Sequence, residues 1–293
     1  MAVVTLNPTI RTDLVEATST GAAAAVAKRV GVTLGRAVVS LLLVLALWQS
    51  LVWSWGEELS FTTRGPADVW NFMFGSEVDT EARALIISNL WITVGHAALG
   101  LTAGMIAAIL VAFAFNLITP LEQSLMPVAM VLRSVPLVAM TPLMATVVGR
   151  GVVAVAMVGG IVTFFPMLVN LTLGMRSAPQ QAVDLVKAYG GGRVAILLKV
   201  QFPSALPQLF AALRAAAPLA ITGAMLAEFL LTGTGLGNSI NVDRNQFKYD
   251  SMWAQAALAT LVSVLIYAIA VGVEGGVLAR FAPDRLKAAK AKA

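Results

Sequence analysis

DLVKAYGGGRVAILLKVQFP, Asp184 to Pro203, is a polar and basic interruption between two long apolar regions. Asp184 stands six positions before Gly190, and nine residues separate that glycine from the hydrophobic-x-hydrophobic-Pro ending Val200-Gln201-Phe202-Pro203. Upstream, Ser177-Ala178-Pro179-Gln180 reads as a helix start, with Ser177 as cap, Pro179 at an early helical position and Gln180 where a capping-box partner belongs. A short helix over 178–189 is predicted to end at Gly190-Gly191-Gly192, because glycine takes the left-handed conformation of a helix C-terminus without a Cβ penalty. A second helical piece, Arg193 to Val200, then runs to Pro203, which lacks an amide proton and is predicted to break or kink the chain. The expected object is a rigid helix-turn-helix knob.

The rest of the chain says what the knob stands on. Of 293 residues, 58% are hydrophobic and only 12% charged, with a mean hydropathy of +0.84. A soluble domain carries roughly a quarter charged residues, so this is an integral membrane protein. With no cysteine and a single histidine, His96, the chain has no disulfide framework, no thiolate nucleophile and no His cluster for a metal. The net charge of +5 and the pI near 9.8 do not point to nucleic acid, because Lys and Arg fall mostly between and beyond the apolar segments, where topogenesis explains them.

A bilayer core of roughly 30 Å needs about 20 apolar helical residues. Six segments qualify, at 36–54, 86–115, 125–148, 151–174, 205–231 and 252–277, giving an all-α membrane protein. The expected organisation is an arm over 1–35, a six-span domain over 36–282 that carries the loop 175–204, and a basic tail over 283–293. Lys28, Arg29 and Arg36 precede the first span and Trp48, Trp53, Trp55 and Glu57 follow or end it. That flank is an interfacial belt rather than a small-residue cleavage site, so an uncleaved anchor is expected. The stretch 56–84 holds Glu57, Glu58, Asp68, Glu77, Asp79 and Glu81 against Arg64 and Arg83, which marks it as external. The loop 175–204 holds Arg176, Lys187, Arg193 and Lys199 against Asp184, which marks it as cytoplasmic, and both termini are expected inside.

The spacing of the opening stretch resembles the cytoplasmic EAA loop, E-A-A-x-x-x-G…I-x-L-P, of permease subunits in bacterial ABC importers. The likeness extends further. Pro127 to Pro142, PVAMVLRSVPLVAMTP, resembles the proline-punctuated third span of permeases for sulfonates, taurine, nitrate and related small solutes. Phe165-Pro166-Met167-Leu168-Val169-Asn170 resembles their F-P-x-x-x-N, Leu213-Arg214 and Ala227-Glu228 resemble their L-R and A-E, and Thr234-Gly235-Leu236-Gly237 resembles the following G-L-G turn. The resemblance covers roughly residues 85–281 and departs in the loop at three points. Asp184 replaces the glutamate, Leu185 and Val186 replace two alanines, and Gly191-Gly192 stands where an Ala-Ser pair is frequent.

What the resemblance implies is a type I importer permease fold whose coupling helix docks on an ABC ATPase through Asp184, Lys187, Ala188, Tyr189, Gly190, Arg193 and Pro203. It also implies a second permease subunit, identical or homologous, and an extracytoplasmic solute-binding protein, in a bacterial inner membrane. The residues agree on one point independently. There is no G-x-x-x-x-G-K-[ST] and no Gly-Lys pair, so the chain is not its own P-loop ATPase; the resemblance assigns ATP and Mg to the partner subunit. No HExxH, CxxC or G-x-S-x-G occurs, and no catalytic constellation can be assembled.

Arg133, Arg214 and Glu228 lie within or near predicted spans, where ionisable groups are costly. Two readings stand: a cationic path or gate for an anionic solute, with Arg133 beside the Pro136 interruption, or side chains that snorkel or pair for structure. Pro127, Pro136 and Pro142 either free carbonyls toward a path or shape packing. His96 reads as hydrogen-bonded packing rather than a proton relay. Gly95, Gly100 and Gly104 with Ala97, Ala103 and Ala107 offer faces for close helix approach. The G-T-G-L-G at 233–237 reads as a turn or partner-docking loop. Two alternatives to the importer are a secondary carrier using Arg133, Arg214 and Glu228 for ion coupling, and a membrane scaffold or sensor that does not transport.

Overall fold

The computed structural model describes residues 32, 35–56, 61–75 and 80–281. The arm and the basic tail expected from the sequence lie mostly outside them. The chain divides into two compact units, Met1–Asp68 and Val69–Ala293.

In the first unit, helix α1 (Gly35–Ser54) is long and apolar enough to cross a bilayer. It presents Leu41, Leu42, Leu43 and Val44 outward, as a helix bathed by lipid would. Trp53 and Trp55 are exposed near its C-terminal end, where an aromatic belt belongs. Trp48 Nε1 donates to the Arg64 carbonyl at 3.1 Å. Helix α2 (Pro66–Phe74) follows.

The second unit is a helix bundle built on α3 (Thr80–Leu117), α6 (Val152–Arg176), α8 (Arg193–Leu231) and α10 (Tyr249–Phe281). Helix α6 is central, packed along α3 on one side and α8 on the other. Lipid is as apolar as leucine, so burial of greasy surface cannot hold these helices together; close packing and polar contacts must. The sequence supplies both. Gly100 and Gly104 of α3 meet Gly159, Gly160 and Thr163 of α6 so closely that a Cβ on Gly104 would lie 2.6 Å from the Gly160 carbonyl oxygen. Thr163 Oγ1 donates within its own helix to the Gly159 and Gly160 carbonyls, both at 3.1 Å. Below this seam Phe115, Met167, Leu171 and Met175 fill a core with no solvent access to speak of.

The third expected span is divided. Helices α4 (Thr119–Leu132) and α5 (Leu137–Val148) meet at 107° across Arg133–Pro136. Pro136 lacks the N–H that would continue α4 and pushes the residue before it away from helical geometry. Ser134 and Val135 finish α4 with tight i→i+3 hydrogen bonds to Val131 and Leu132, and Pro136 becomes the N-cap of α5. Pro127 and Pro142 sit inside their helices.

Two expectations about the loop need correction. Ser177 does not cap the next helix; it closes the preceding one, and its hydroxyl donates to the Gly174 carbonyl at 2.8 Å. Helix α7 (Gln180–Ala188) begins instead after Pro179, with no side-chain cap. Pro203 does not break the chain either. A π-turn over Leu197–Gln201 widens the helix, Phe202 N–H reaches back to the Leu197 carbonyl, and Pro203 falls in the first turn of the next segment, so α8 runs unbroken from Arg193 to Leu231.

Helix α9 (Gly235–Asn245) lies between α8 and α10 and packs on both, and on α3.

Candidate functional site

Two places in the bundle gather the residues singled out in the sequence. The first is the knob between α6 and α8. Helix α7 buries none of its residues, so nothing but its own ends and the joints to α6 and α8 holds it. Its C-terminus is closed by a crossed pair of hydrogen bonds, Gly191 N–H to the Val186 carbonyl (2.8 Å) and Gly190 N–H to the Lys187 carbonyl (2.9 Å). That closure requires the left-handed conformation of the residue after the cap, and Gly190 has φ +78°. Tyr189, at the cap, is 85% exposed and stands at the tip. Asp184 accepts from Gln180 Nε2 (2.9 Å) and faces Lys187 Nζ at 3.5 Å, an exposed trio along the helix that contributes at most a few tenths of a kcal/mol. Ala188 is the last residue of the helix and Arg193 opens the next one.

The knob is pinned at its base. Arg176, at the end of α6, pairs with Glu122 in the first turn of α4, and Arg193 Nη1 donates to the Leu117 carbonyl at the end of α3 (3.4 Å). Glu122 was not a sequence candidate; it falls in the short link between two predicted spans, where an acid draws no notice. The pair is asymmetric, with the Arg176 side chain 60% exposed and that of Glu122 only 9%. Arg176→Ala strands a buried carboxylate, whereas Glu122→Ala leaves an arginine that turns to water. The first is therefore expected to lower stability by about 1–3 kcal/mol and the second by distinctly less, as thermal unfolding in one detergent will show. Equal losses would deny that Glu122 is the costly partner.

The second is the bundle itself, where the other candidates lie apart from one another and Arg133 and Pro136 are exposed. Arg133 and Pro136 sit at the bend of α4 and α5, and Arg133 borders a cleft of about 350 Å³ with Leu137, Phe165, Pro166 and Leu219. Arg214 and Glu228, which the sequence groups as one possible ion-coupling pair, have separate partners. Arg214 Nη1 lies 2.8 Å from Glu274 Oε2, a charge pair whose N–H is not aimed along a hydrogen bond. Glu274 was missed, although an acid in the sixth predicted span opposite an arginine in the fifth was a usable signal.

Glu228 is wholly buried and surrounded by donors. Thr93 Oγ1–H donates to Oε2 at 2.8 Å, Gly237 N–H donates to the same oxygen at 3.0 Å, and His96 Nδ1 lies 2.8 Å from Oε1. Thr93 in turn accepts from Leu236 N–H at 2.8 Å, and Asn89 Oδ1 accepts from Gly235 N–H at 3.2 Å. The G-L-G turn is thus the N-terminus of α9 folded over the carboxylate, with its amides and the helix dipole facing negative charge. His96 serves the same node.

Residues 82–279 match the family described as binding-protein-dependent transport system inner membrane component. Relatives include the riboflavin transport system permease protein RibX of Chloroflexus aurantiacus, 34% identical over 51% of this chain and 56% of that one. The formylaminopyrimidine transport permease protein ThiX of Halalkalibacterium halodurans is 26% identical over 64% and 75%, and the nitrate import permease protein NrtB of Synechocystis is 23% identical over 84% and 86%. The chain thus spans little more than half the length of RibX. Among solved structures, an inward-facing MetNI methionine ABC transporter chain superposes with a TM-score of 0.61 at 17% identity, over 68% of this chain and 99% of that one, which speaks for the fold. The bent third span, the pinned knob and the α8–α9 turn over Glu228 all fall inside the family match, and the chain belongs to the binding-protein-dependent transport system inner membrane components.

Proposed function

We propose that this chain is the permease subunit of an ATP-driven ABC importer in a bacterial inner membrane, moving a small solute by alternating access between itself and a second permease, identical or homologous. The observation that carries the reading is the knob: an exposed helix with a closed glycine end and Tyr189 at its tip, tied at its base to α3 and α4. A rigid lever of this kind moves the spans when a partner moves it. In this reading Asp184, Lys187, Ala188, Tyr189, Gly190 and Arg193 face the ATPase, with Pro203 beyond the π-turn at the root of α8. The ATPase supplies ATP and Mg chemistry; this chain binds neither.

Both termini are cytoplasmic in this scheme, and a binding protein delivers solute at the opposite face. The named cargoes of relatives, riboflavin, a formylaminopyrimidine and nitrate, support a solute among small anions and flat heterocycles. Sulfonates and taurine belong to the same range. Arg133 and Pro136 at the α4–α5 cleft are the proposed path or gate. Arg214 and Glu228 hold the bundle rather than couple ions, because each already has a partner within the chain. The test is co-purification with the ATPase and vanadate-sensitive uptake into proteoliposomes. Uptake that persists with a catalytically dead ATPase but collapses with the proton gradient would overturn the reading in favour of a secondary carrier.

A further inference from the structure

The chain leaves the bundle for the knob at Arg176 and returns at Arg193, and both ends of the knob meet the same joint. Arg176, exposed, pairs with Glu122, and Arg193 Nη1 donates to the Leu117 carbonyl at 3.4 Å. Leu117 is the last residue of α3, Ile118 is the N-cap of α4, and Glu122 stands in the first turn of α4. Helix α7 begins four residues after Arg176 and ends five before Arg193. Whatever displaces α7 therefore acts on the α3–α4 joint through two arginines.

Helix α4 has few other attachments. Glu122 is its one buried residue, and Leu121 and Met126 lie partly buried against the core around Phe115 and Met175. Val128, Met130, Val131 and Leu132, in its far half, are exposed. The helix continues through Pro127 to Leu132, ten residues past Glu122 and about 15 Å along the axis. There it meets the Arg133–Pro136 bend, beyond which α5 packs on α6 and α8. Helix α4 is thus a rod held at its two ends, with Glu122 at the base and, at the tip, Leu132 and Arg133 bordering the cleft.

Stability alone does not call for a carboxylate at the base, since apolar residues in place of a buried ion pair are often neutral or stabilising. Motion does. An apolar contact weakens sharply once a gap of about 1 Å opens, whereas attraction between charges falls only as the inverse of their distance. Arg176 carries its charge on a long stem on the exposed side of the pair, so it can follow a moving knob without letting go of a carboxylate fixed in α4. We infer that Glu122 is a positioning residue for transport: the knob draws on it through Arg176, tilts α4, and so moves the Arg133–Pro136 bend at the cleft. The inference rests on the importer reading for what displaces the knob and what passes the cleft.

The test uses the complex with its ATPase, in proteoliposomes and nanodiscs. Glu122→Met combined with Arg176→Met removes both charges together, so no carboxylate is stranded; the variant is expected to unfold near the wild-type midpoint and to co-purify with the ATPase. Its uptake per ATP hydrolysed is expected to fall by about tenfold. Arg176→Lys, which keeps the charge, should retain most of the wild-type ratio. Because the chain has no cysteine, a single thiol introduced by Leu137→Cys at the cleft follows the far end of α4 without background. Its alkylation rate by a charged methanethiosulfonate is expected to differ between nucleotide-free and vanadate-trapped complexes, and that difference should vanish in the double variant. A wild-type uptake ratio in the double variant, or an alkylation difference that survives in it, makes the pair structural only and overturns the inference. So does an alkylation rate that trapping leaves unchanged when Glu122 and Arg176 are intact. If the double variant does not fold or bind the ATPase, Glu122→Gln decides, because it keeps the shape and the hydrogen bond and loses the charge. Its uptake ratio is expected to fall at least about threefold, and a wild-type ratio there overturns the inference. Wild-type uptake that needs no ATPase removes the importer reading and this inference with it, whereas ATP-dependent uptake with unaffected variants removes this inference alone.

Discussion

Gly190→Ile is expected to abolish coupled uptake while leaving the helix bundle folded. Gly190 sits at φ +78°, where a β-branched residue is strained by about 1–3 kcal/mol. Elsewhere in the chain the bundle would absorb that cost. In α7 there is nothing to absorb it, since the helix buries no residue and depends on its terminal hydrogen bonds. The strain therefore opens the turn, and the tip carrying Tyr189 loses its fixed direction. Gly190→Asn is the control, because asparagine tolerates the left-handed region and should keep most of the activity. Gly191→Ala is expected to damage the knob for a different reason: its Cβ would lie 2.5 Å from Val186 Cγ1 and 2.8 Å from the Val186 carbonyl oxygen. ATPase co-purification and uptake measured on the three variants separate strain from crowding. Wild-type uptake in Gly190→Ile would show that the knob's rigidity is irrelevant to coupling.

The reason this turn could be read from sequence is that its chemistry is local. A glycine triplet after a short helical pattern has few other uses, and the six-span pattern is likewise a property of consecutive residues. The bend at Pro136 belongs with them, since proline imposes it from within the chain. Gly191, which stands where an Ala-Ser pair is frequent, has a packing reason that the sequence does not show, since a Cβ there would meet Val186. Ser177 and Pro203 show where local signals stop deciding. Each carries a boundary signal, yet α6 winds through Arg176 before Ser177 closes it, and the π-turn lets α8 pass Pro203 without interruption. Tertiary packing of long helices outweighs a cap worth about 1 kcal/mol. The polar node escaped for a third reason. Thr93 and His96 meet Glu228, and Leu236 meets Thr93, only when α8 and α9 fold against α3, contacts between residues 132 to 143 positions apart that periodicity cannot report.

That node carries the other large effect. Gly237→Ala is expected to destabilise the chain by about 3 kcal/mol or more, because a single methyl group has nowhere to go. Its carbon would lie 2.0 Å from the Met225 carbonyl oxygen and 2.9 Å from Glu228 Cβ. The first of these is backbone within α8, so no side chain can move aside; α9 must lift. Lifting it withdraws the Gly237 and Leu236 amides from Glu228 and Thr93 and leaves a buried carboxylate short of a donor. Glu228→Ala attacks the same node from the other side, stranding Thr93, His96 and the Gly237 amide, and is expected to cost a similar amount. Gly233→Ala, four residues before Gly237, meets nothing within 4 Å and should unfold with the wild type. Midpoints of thermal unfolding in one detergent make the comparison. If Gly237→Ala matches Gly233→Ala, α9 does not rest on Glu228 in the membrane.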